Sequence, residues 1–251
     1  MKDITRRNFV KTSMVAPAVL LRKSEAAGAA FAAGTGGSTA SSRNSSQKRK
    51  AKQIRIIGIC CSPRKAKTTA ASLRVCLEAA KEVHPSIEVE LIELAGMKID
   101  GSLAAGLPLE PGQRDDFPKL VPKLSDPAVA GIIVGTPVYF SSMTSLCKAF
   151  LDRCITFWEN NMALSGKVAG VLAVGGSRNG GQEITIQSVQ AALLCQEMII
   201  VGSGRPAPRI GATVWNSGKG NVTEDEFGMA TTRKLGRRVA EVALQLNGMG
   251  K

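Results

Sequence analysis

Aromatic residues and histidine are scarce in this chain of 251 residues: aromatics make up 4%, there is one Tyr, and His84 is the only histidine. A single histidine excludes a zinc site built from several histidines. Every apolar run is shorter than the roughly 20 residues that a membrane-spanning helix needs, so no stable membrane span is expected. Three glycine signatures are also missing, namely Gly-x-x-x-x-Gly-Lys-Ser/Thr, Gly-x-Gly-x-x-Gly after a strand, and Gly-x-Ser-x-Gly. P-loop nucleotide hydrolysis, dinucleotide binding of the Rossmann type and nucleophile-elbow hydrolysis are therefore not indicated.

Negative charge is also in short supply, since 33 Lys and Arg face 20 Asp and Glu and give a net charge of +13. Residues 1–50 hold ten Lys or Arg and two Asp or Glu, a net +8, which leaves +5 for residues 51–251. A basic balance of this size is typical of nucleic-acid-binding proteins. Residues 51–251, however, contain no run of Lys and Arg with interleaved aromatics. No nucleic-acid partner is therefore expected.

Residues 1–33 have the layout of an export signal. Arg6 and Arg7 are followed by Asn-Phe-Val-Lys, then by a weakly apolar run at 14–21 and by small residues that include Ala-x-Ala triplets. This string resembles the bacterial twin-arginine signal, and a disordered basic tail is the alternative. We therefore expect export by the twin-arginine route to the periplasm or the extracellular space, or a cytoplasmic location if the signal is not functional.

A change of sequence pattern at residue 53 predicts the start of the folded domain. Residues 34–52 are rich in Gly, Ser and Thr and then basic, which is typical of a disordered linker. One domain is predicted over 53–251. The predicted strands share short, β-branched apolar runs and cover 54–60, 87–94, 129–136, 167–174 and 198–201. The predicted helices share apolar residues at helical spacing and cover 69–83, 115–124, 145–161, 182–196 and 223–246.

This alternation predicts an α/β fold, a doubly wound, five-stranded parallel sheet with helices on both faces. The second strand alternates polar and apolar residues, whereas the first, third and fourth are apolar throughout. That contrast places the second strand at an edge and favours the order 2-1-3-4-5. A long loop rich in Gly, Pro and Ser is expected over 203–222.

In such sheets ligands bind at the carboxyl ends of the strands, so three loops are the candidates. The first loop, 61–69, reads Cys-Ser-Pro-Arg-Lys-Ala-Lys-Thr-Thr and enters a helix. Helix N–H groups, hydroxyls and cations together suit a phosphate. The candidate phosphate ligands are Ser62, Arg64, Lys67, Thr68 and Thr69. An ordinary basic turn with a threonine cap is the alternative.

The loops after the third and fourth strands suit a flat ring. The second loop contains Pro137, Val138, Tyr139 and Phe140, and a heteroaromatic ring would lie well against its backbone and aromatic edge. The third loop, 175–182, begins with two glycines whose N–H groups could approach a ligand closely. The alternatives are that the aromatics only cover the sheet and that the glycines only make a flexible turn.

The six cysteines are dispersed and contain no Cys-x-x-Cys. Most fall at strand ends or on helix faces where small apolar residues belong, so we expect core thiols without disulfides or bound metal. Cys61, beside the proposed phosphate loop, is the candidate for a reactive thiol.

Four strings together resemble the flavodoxin-like NAD(P)H-dependent FMN reductase superfamily, and most of all its iron–sulfur flavoprotein branch. They are Ser-Pro-Arg-Lys at 62–65 with Thr68, Gly-Thr-Pro-Val-Tyr-Phe at 135–140, Lys-Ala-Phe-Leu-Asp-Arg at 148–153 and Gly-Gly-Gln-Glu at 180–183. The resemblance covers residues 54–203. It implies a flavodoxin-like fold and bound FMN.

The resemblance also implies roles for the residues of the three loops. The first loop would hold the FMN phosphate, and Pro137 to Phe140 together with Gly175, Gly176 and Ser177 would border the isoalloxazine. Tyr139, Arg178 and backbone N–H groups would stabilise the negative charge of the reduced ring. The chain departs from the branch because residues 77–146 contain no cysteine. A cubane cluster needs four thiolates, so no iron–sulfur cluster is expected.

The expected function is that of an FMN-dependent oxidoreductase of the NAD(P)H:FMN or quinone reductase type, in which bound flavin passes electrons to a small acceptor. No protein acid or base is required, because the flavin carries the chemistry. An exported protein would not meet the cytoplasmic NAD(P)H pool. The alternative is therefore a non-enzymatic FMN electron-transfer protein that serves a redox partner. The resemblance implies a homodimer or homotetramer, with loop 203–222 and its Trp215 as a candidate subunit contact.

Overall fold

The computed structural model of the protein describes residues 53–206, 208–218 and 220–249. The predicted signal at 1–33 and the predicted linker at 34–52 lie outside the described residues. The strands are β1 (Ile54–Cys60), β2 (Ile87–Glu93), β3 (Val129–Pro137), β4 (Val168–Gly175), β5 (Ile199–Ile200) and β6 (Ala212–Trp215). The α-helices are α1 (Thr68–Lys81), α2 (Val121–Ser125), α3 (Ser145–Arg153), α4 (Ile155–Glu159), α5 (Gln182–Leu194) and α6 (Glu226–Leu246), and short 3₁₀ turns cover Gly101–Ala105 and Phe117–Lys119.

The strands form one parallel sheet in the order β2-β1-β3-β4-β5, with β6 also paired to β4. The predicted α/β fold and the order 2-1-3-4-5 are therefore confirmed. β3 and β4 are buried along their whole length, which explains their continuous apolar sequence. β2 is half-buried at most positions, as an edge strand should be.

The fifth position of the sheet is divided between two strands. β5 pairs with β4 only at Val168 and Ala169, and β6 pairs with β4 from Leu172 to Gly175. The sequence predicts one strand at 198–201 and a loop over 203–222, so β6 lies in a segment predicted as loop. Four residues are too few for a periodic signal, and the strand forms because β5 leaves the second half of β4 without a partner.

Helices cover both faces of the sheet over two apolar clusters. One cluster joins the sheet to α1 and α6 through residues such as Leu73 and Val239. The other joins it to α3, α4 and α5, with Phe117, Phe150 and Phe157 in contact at its centre. The long helix predicted over 145–161 is interrupted at Cys154, whose N–H bonds three residues back to Leu151. No helix among the described residues is long and apolar enough to cross a membrane.

The close contact between α1 and α6 depends on Gly236. A Cβ at this position would overlap the carbonyl oxygen of Cys76 in α1. Backbone cannot move aside as a flexible side chain can, so only glycine permits this approach of the two helices. Because α1 begins at the first candidate loop, the contact also fixes the position of that loop.

Candidate functional site

Backbone hydrogen bonds bring the three candidate loops together at the carboxyl ends of β1, β3 and β4. The N–H of Cys61 donates to the carbonyl of Gly135 (2.8 Å), and the N–H of Val138 donates to the carbonyl of Val174 (2.9 Å). The Thr144 hydroxyl donates to the carbonyl of Cys61 (2.8 Å) and accepts from the N–H of Cys147 (3.1 Å). The first loop is thus tied to the second, and the second begins beside the third.

The twelve predicted site residues differ in exposure. Ser62, Thr68, Thr69, Pro137 and Gly175 are buried, Val138 is half-buried, and Arg64, Lys67, Tyr139, Phe140, Gly176 and Ser177 are exposed. The buried members build the floor of the site, and the exposed members form the surface that a ligand would meet.

Ser62 and Glu93 hold the first loop in shape. The buried Ser62 hydroxyl accepts from the N–H of Arg64 and donates to its carbonyl, both at 3.2 Å. The N–H of Ala66, a residue with φ of 53°, donates to the Glu93 carboxylate at 2.7 Å. Arg74 pairs with the other oxygen of that carboxylate at 3.1 Å. The Glu93 carboxylate is therefore neutralised by Arg74 and fixes the backbone of the first loop at Ala66.

The first turn of α1 is suited to an anion. Lys67 occupies the N-cap position and makes no side-chain capping hydrogen bond to the first turn. The first N–H groups of a helix carry partial positive charge and need an acceptor from outside the helix. Exposed Arg64, Lys65 and Lys67 precede this turn, and Thr68 and Thr69 begin it. The arrangement combines helix N–H groups, hydroxyls and cations, which is the chemistry that binds a phosphate group.

The second loop contains a strained turn. Tyr139 and Ser142 exchange two backbone hydrogen bonds (2.8 and 3.0 Å), and the residues between them, Phe140 and Ser141, have φ of 49° and 57°. Left-handed conformations of this kind cost about 1 kcal/mol or more for residues other than glycine. The Phe140 side chain is fully exposed, and Tyr139 is 46% exposed. The turn therefore presents an aromatic edge at the mouth of the site.

The second and third loops touch at Gly181. Its φ is 94°, and a Cβ there would lie 2.7 Å from the Cα of Ser141. Any larger residue would push the two loops apart. The glycine-rich sequence at 180–181 thus has a steric reason, which the sequence alone did not separate from simple flexibility.

The third loop is fixed from the side of β6. Trp215 donates its indole N–H to the carbonyl of Gly176 (3.0 Å), and the backbone N–H of Asn216 donates to the carbonyl of Gly175 (3.0 Å). Because both carbonyls accept hydrogen bonds from residues 215 and 216, the backbone conformation of the third loop is restrained at this point. This contact places Trp215 beside the candidate site, in the segment where the sequence predicts a subunit-contact loop.

Arg178 has partners within the protein. Its guanidinium pairs with Asp225 at 2.8 Å and lies 5.2 Å from the centre of the Trp215 ring. Asp225 is buried and also accepts the backbone N–H groups of Trp215 (2.7 Å) and Gly228 (2.9 Å) at the start of α6. The sequence analysis assigns Arg178 to the charge of a reduced flavin ring, which stays a prediction, and in the structure its guanidinium joins the third loop to β6 and α6.

The residues that the sequence analysis missed are those that position the loops, namely Glu93, Thr144, Trp215 and Asp225. Asp225 caps α6 but lies inside the helix predicted over 223–246, so the sequence prediction does not mark it as a cap. Thr144 could have been found, because it is a Thr directly before the helix predicted over 145–161 and caps that helix in the structure. Glu93 could not, since it is one of several acids that alternate along an edge strand.

Cys61 is fully buried, and desolvation raises the pKa of its thiol well above the ordinary value, with neighbouring Cys147 adding to the effect. Burial likewise raises the pKa of Cys60 to about 11. Thiolates are the reactive form of cysteine, so neither residue has the character of a nucleophile at neutral pH. In the part of the chain that the structure describes, no group of three or more His, Cys, Asp or Glu could hold a metal ion.

Comparison with known proteins agrees with this geometry. The chain is 36% identical over 192 residues to an iron–sulfur flavoprotein of Methanocaldococcus jannaschii, and the aligned region covers 75% of this chain and 97% of that protein. It is 31% identical over 153 residues to an NAD(P)H dehydrogenase (quinone) of Chromohalobacter salexigens, covering 55% of this chain and 75% of that protein.

Among solved structures, a flavodoxin, WrbA-like protein from Agrobacterium tumefaciens superposes with a TM-score of 0.56 at 19% identity, over 77% of this chain and 99% of that one. This likeness supports the fold. Residues 54–209 match the family described as NADPH-dependent FMN reductase, and that segment contains all three candidate loops. The chain therefore belongs to the NADPH-dependent FMN reductase family.

Proposed function

We propose that this protein is an FMN-dependent oxidoreductase that takes electrons from NADH or NADPH and passes them through bound flavin to a small acceptor such as a quinone. The observation that carries the proposal is the first turn of α1, which has no side-chain cap and is preceded by Arg64, Lys65 and Lys67. A phosphomonoester is the ligand that this turn suits best. Among the relatives, the quinone dehydrogenase supports the choice of acceptor.

The first loop would hold the phosphate of FMN. Ser62 keeps the loop closed through its hydrogen bonds to Arg64, and Glu93 accepts the N–H of Ala66, so that this N–H is not available to the phosphate. The N–H groups of Thr68 and Thr69 remain for the phosphate, and the exposed cations neutralise its charge. FMN fits this loop because its one phosphate matches one helix terminus, whereas a triphosphate would need a longer glycine-rich loop.

The second and third loops would border the flavin ring. FMN, when bound, supplies the hydride and electron chemistry. The chain's own part is to orient the ring and to exclude water from one side of it. Two backbone hydrogen bonds close the turn at 139–142, and the Trp215 indole holds the third loop, so both loops have a defined conformation for that purpose. With Arg178 paired to Asp225, backbone N–H groups of the two loops are left to stabilise added negative charge.

The residues do not fit an iron–sulfur cluster of the kind that names the archaeal relative. Residues 77–146 contain no cysteine, and the five buried thiols are held in the two apolar clusters of the core. The proposed electron path therefore involves flavin without a cluster. The absence of a cluster stays a prediction, which the visible spectrum of the purified protein tests.

Export and assembly are further parts of the proposal. The Arg6-Arg7 segment supports export by the twin-arginine route, which carries folded proteins and so suits a domain that binds its flavin before export. Export would favour the alternative function, in which the FMN-bound protein exchanges electrons with a redox partner and does not use NAD(P)H. The exposed apolar residues of α5, Ile184 and Leu194, are consistent with a homodimer or homotetramer.

A binding experiment tests the phosphate site directly. FMN and riboflavin, which lacks the phosphate, are titrated against the wild type, Arg64→Gln and the matched control Lys81→Gln at the far end of α1. Arg64→Gln should weaken FMN by about tenfold, the worth of one charge-assisted hydrogen bond, and leave riboflavin unchanged. Equal loss for both ligands, or failure of the wild type to bind FMN, contradicts the proposal.

A kinetic experiment separates the two functions. The FMN-loaded protein is mixed with NADH or NADPH and a quinone, and in parallel with a low-potential chemical reductant. Turnover with a nicotinamide donor supports the reductase. Reduction by the chemical donor alone would show that the protein is an electron carrier instead.

A further inference from the structure

A long groove runs along the free edge of the sheet, outside β5 and β6. It consists of two adjoining hollows of about 690 Å³ and 840 Å³, which share Gly204, Pro208 and Arg238. None of the twelve predicted flavin-site residues lines either hollow. Ligand sites in proteins have volumes of about 300–1,000 Å³, so each hollow is large enough for part of a small molecule.

The smaller hollow is basic on both walls. Arg205 projects from the loop after β5, and Lys234, Arg237 and Arg238 project from α6, with Glu241 as the one acid in the lining. Arg237 is paired with Glu82 at 2.7 Å, and Arg238 approaches Glu241 at 3.8 Å. Among the described residues, Arg205 and Lys234 have no carboxylate within 4.0 Å.

Unpaired cations on facing walls repel each other, and a bound anion would relieve that repulsion. Phosphate suits the pair, because Arg binds it through parallel N–H groups and Lys as a point charge.

The loop wall of this hollow is held in place. Ser203, which is buried, donates its N–H to the carbonyl of Arg209 (2.9 Å), and its hydroxyl accepts the N–H of Arg209 (3.0 Å). Gly204 has φ of 71° and packs on the methylene groups of Arg238, which lie 3.5–3.6 Å from where its Cβ would be. The two walls thus touch and support each other, so little conformational entropy would be lost when a ligand binds.

Most residues that line the larger hollow are uncharged, and its charged members are Glu183, Arg209 and Arg238. Ile200, Val201 and Ile210 supply apolar surface, and Gln187 and Thr213 supply neutral polar groups. Arg209, at its border, lies 5.6 Å from the ring centre of Phe227. An uncharged, flat body would bury apolar area here while an attached phosphate reached the basic hollow.

We propose that this groove binds a small molecule made of one or two phosphates joined to a largely uncharged body, as in a nucleotide. The phosphates lie between Arg205 and the pair Lys234 and Arg238, and the body lies over Ile200 and Ile210. The groove shares no lining residue with the twelve residues of the proposed flavin site. A phospholipid headgroup has the same chemistry and is the other source of such a ligand.

The test is calorimetric titration of ADP into the full-length protein at constant ionic strength, with one equivalent of FMN added so that the flavin phosphate site is filled and no free FMN competes for the groove. The double variant Lys234→Gln/Arg238→Gln removes two cations of the groove. Arg233→Gln is the matched control, since Arg233 is an exposed cation of the same helix outside the groove. The double variant should weaken ADP at least tenfold, and the control less than twofold.

A second variant tests the uncharged hollow. Ile210→Asn should weaken ADP severalfold and leave inorganic pyrophosphate unchanged, because pyrophosphate has no body to place there. Vesicles containing phosphatidylglycerol distinguish the sources: binding that the double variant abolishes, without ADP binding, assigns a lipid headgroup. Absence of binding to ADP, pyrophosphate and vesicles overturns the proposal, as does binding that the double variant does not weaken.

Discussion

Replacing Asp225 by alanine removes the acceptor of three hydrogen bonds at the start of α6. The buried carboxylate accepts the N–H groups of Gly228 (2.9 Å) and Trp215 (2.7 Å), and it pairs with Arg178 at 2.8 Å. Loss of an N-cap costs about 1 kcal/mol, and a buried N–H without a partner costs about 1–3 kcal/mol. The pair with half-exposed Arg178 adds less than about 1 kcal/mol.

The free energy of unfolding should therefore fall by about 3 kcal/mol. For a domain of 150–250 residues this corresponds to a decrease in Tm of about 6–12 °C. Urea unfolding followed by far-UV circular dichroism measures the first quantity, and a thermal scan measures the second. FMN affinity should fall as well, because β6 carries the Trp215 indole that holds the carbonyl of Gly176.

Two controls make the result specific. Glu224→Ala removes the neighbouring acid, which is exposed, and should change the unfolding free energy by less than about 0.5 kcal/mol. Arg178→Ala removes the ion pair and the contact with the Trp215 ring but keeps both N–H groups bonded to Asp225, and should cost about 1 kcal/mol. A loss of less than about 1 kcal/mol in Asp225→Ala would refute the reasoning, because it would show that the two N–H groups find other acceptors at no cost.

Three further outcomes are expected. Gly236→Ala should unfold the protein at ordinary temperature or cost more than about 3 kcal/mol, because the added Cβ overlaps the carbonyl of Cys76; a mild effect in urea unfolding would contradict this close contact. A thiol reagent at pH 8 should label only the exposed Cys195 in the native protein, none in Cys195→Ser, and all six cysteines after denaturation. The pKa of Asp116 is lowered to about 2, mainly by its hydrogen bond from Lys119. The ionised carboxylate should therefore stabilise the fold above about pH 4, and this contribution should be lost as the pH falls toward 2. In Asp116→Asn the free energy of unfolding, measured in urea, should depend less on pH over that range.

The strands that the sequence predicts well are those with long apolar runs. β1 lies where predicted because its β-branched run is bounded by a Ser-Pro pair, and β3 extends one residue beyond the prediction. β6 was not predicted, because Ala212–Trp215 lies within a segment rich in Gly, Pro and Ser. Its pairing depends on the unoccupied half of β4, and a partner so distant in the chain leaves no trace in local periodicity.

The positions of the three loops of the site can be predicted from the strand order, but the contacts that fix the conformation of these loops cannot. Once the strand order is known, the loops after β1, β3 and β4 must meet at one edge. The bond from Ala66 to Glu93 joins residues 27 positions apart. Nothing distinguishes Glu93 in the sequence from the other acids of β2, since its role arises only when the strand lies beside the loop.

The role of the Arg178 charge depends on the partners that the fold brings next to it. In the sequence it is a cation in a glycine-rich loop, equally suited to a ligand or to the protein. In the structure Asp225 and Trp215 already occupy its guanidinium. Among the described residues, no carboxylate lies within 4.0 Å of the cations of the first loop, Arg64 and Lys67. Because an unpaired cation loses less on binding an anion than a paired one, we expect the negative charge of a ligand to bind at the first loop and the third loop to contribute mainly to the shape of the site.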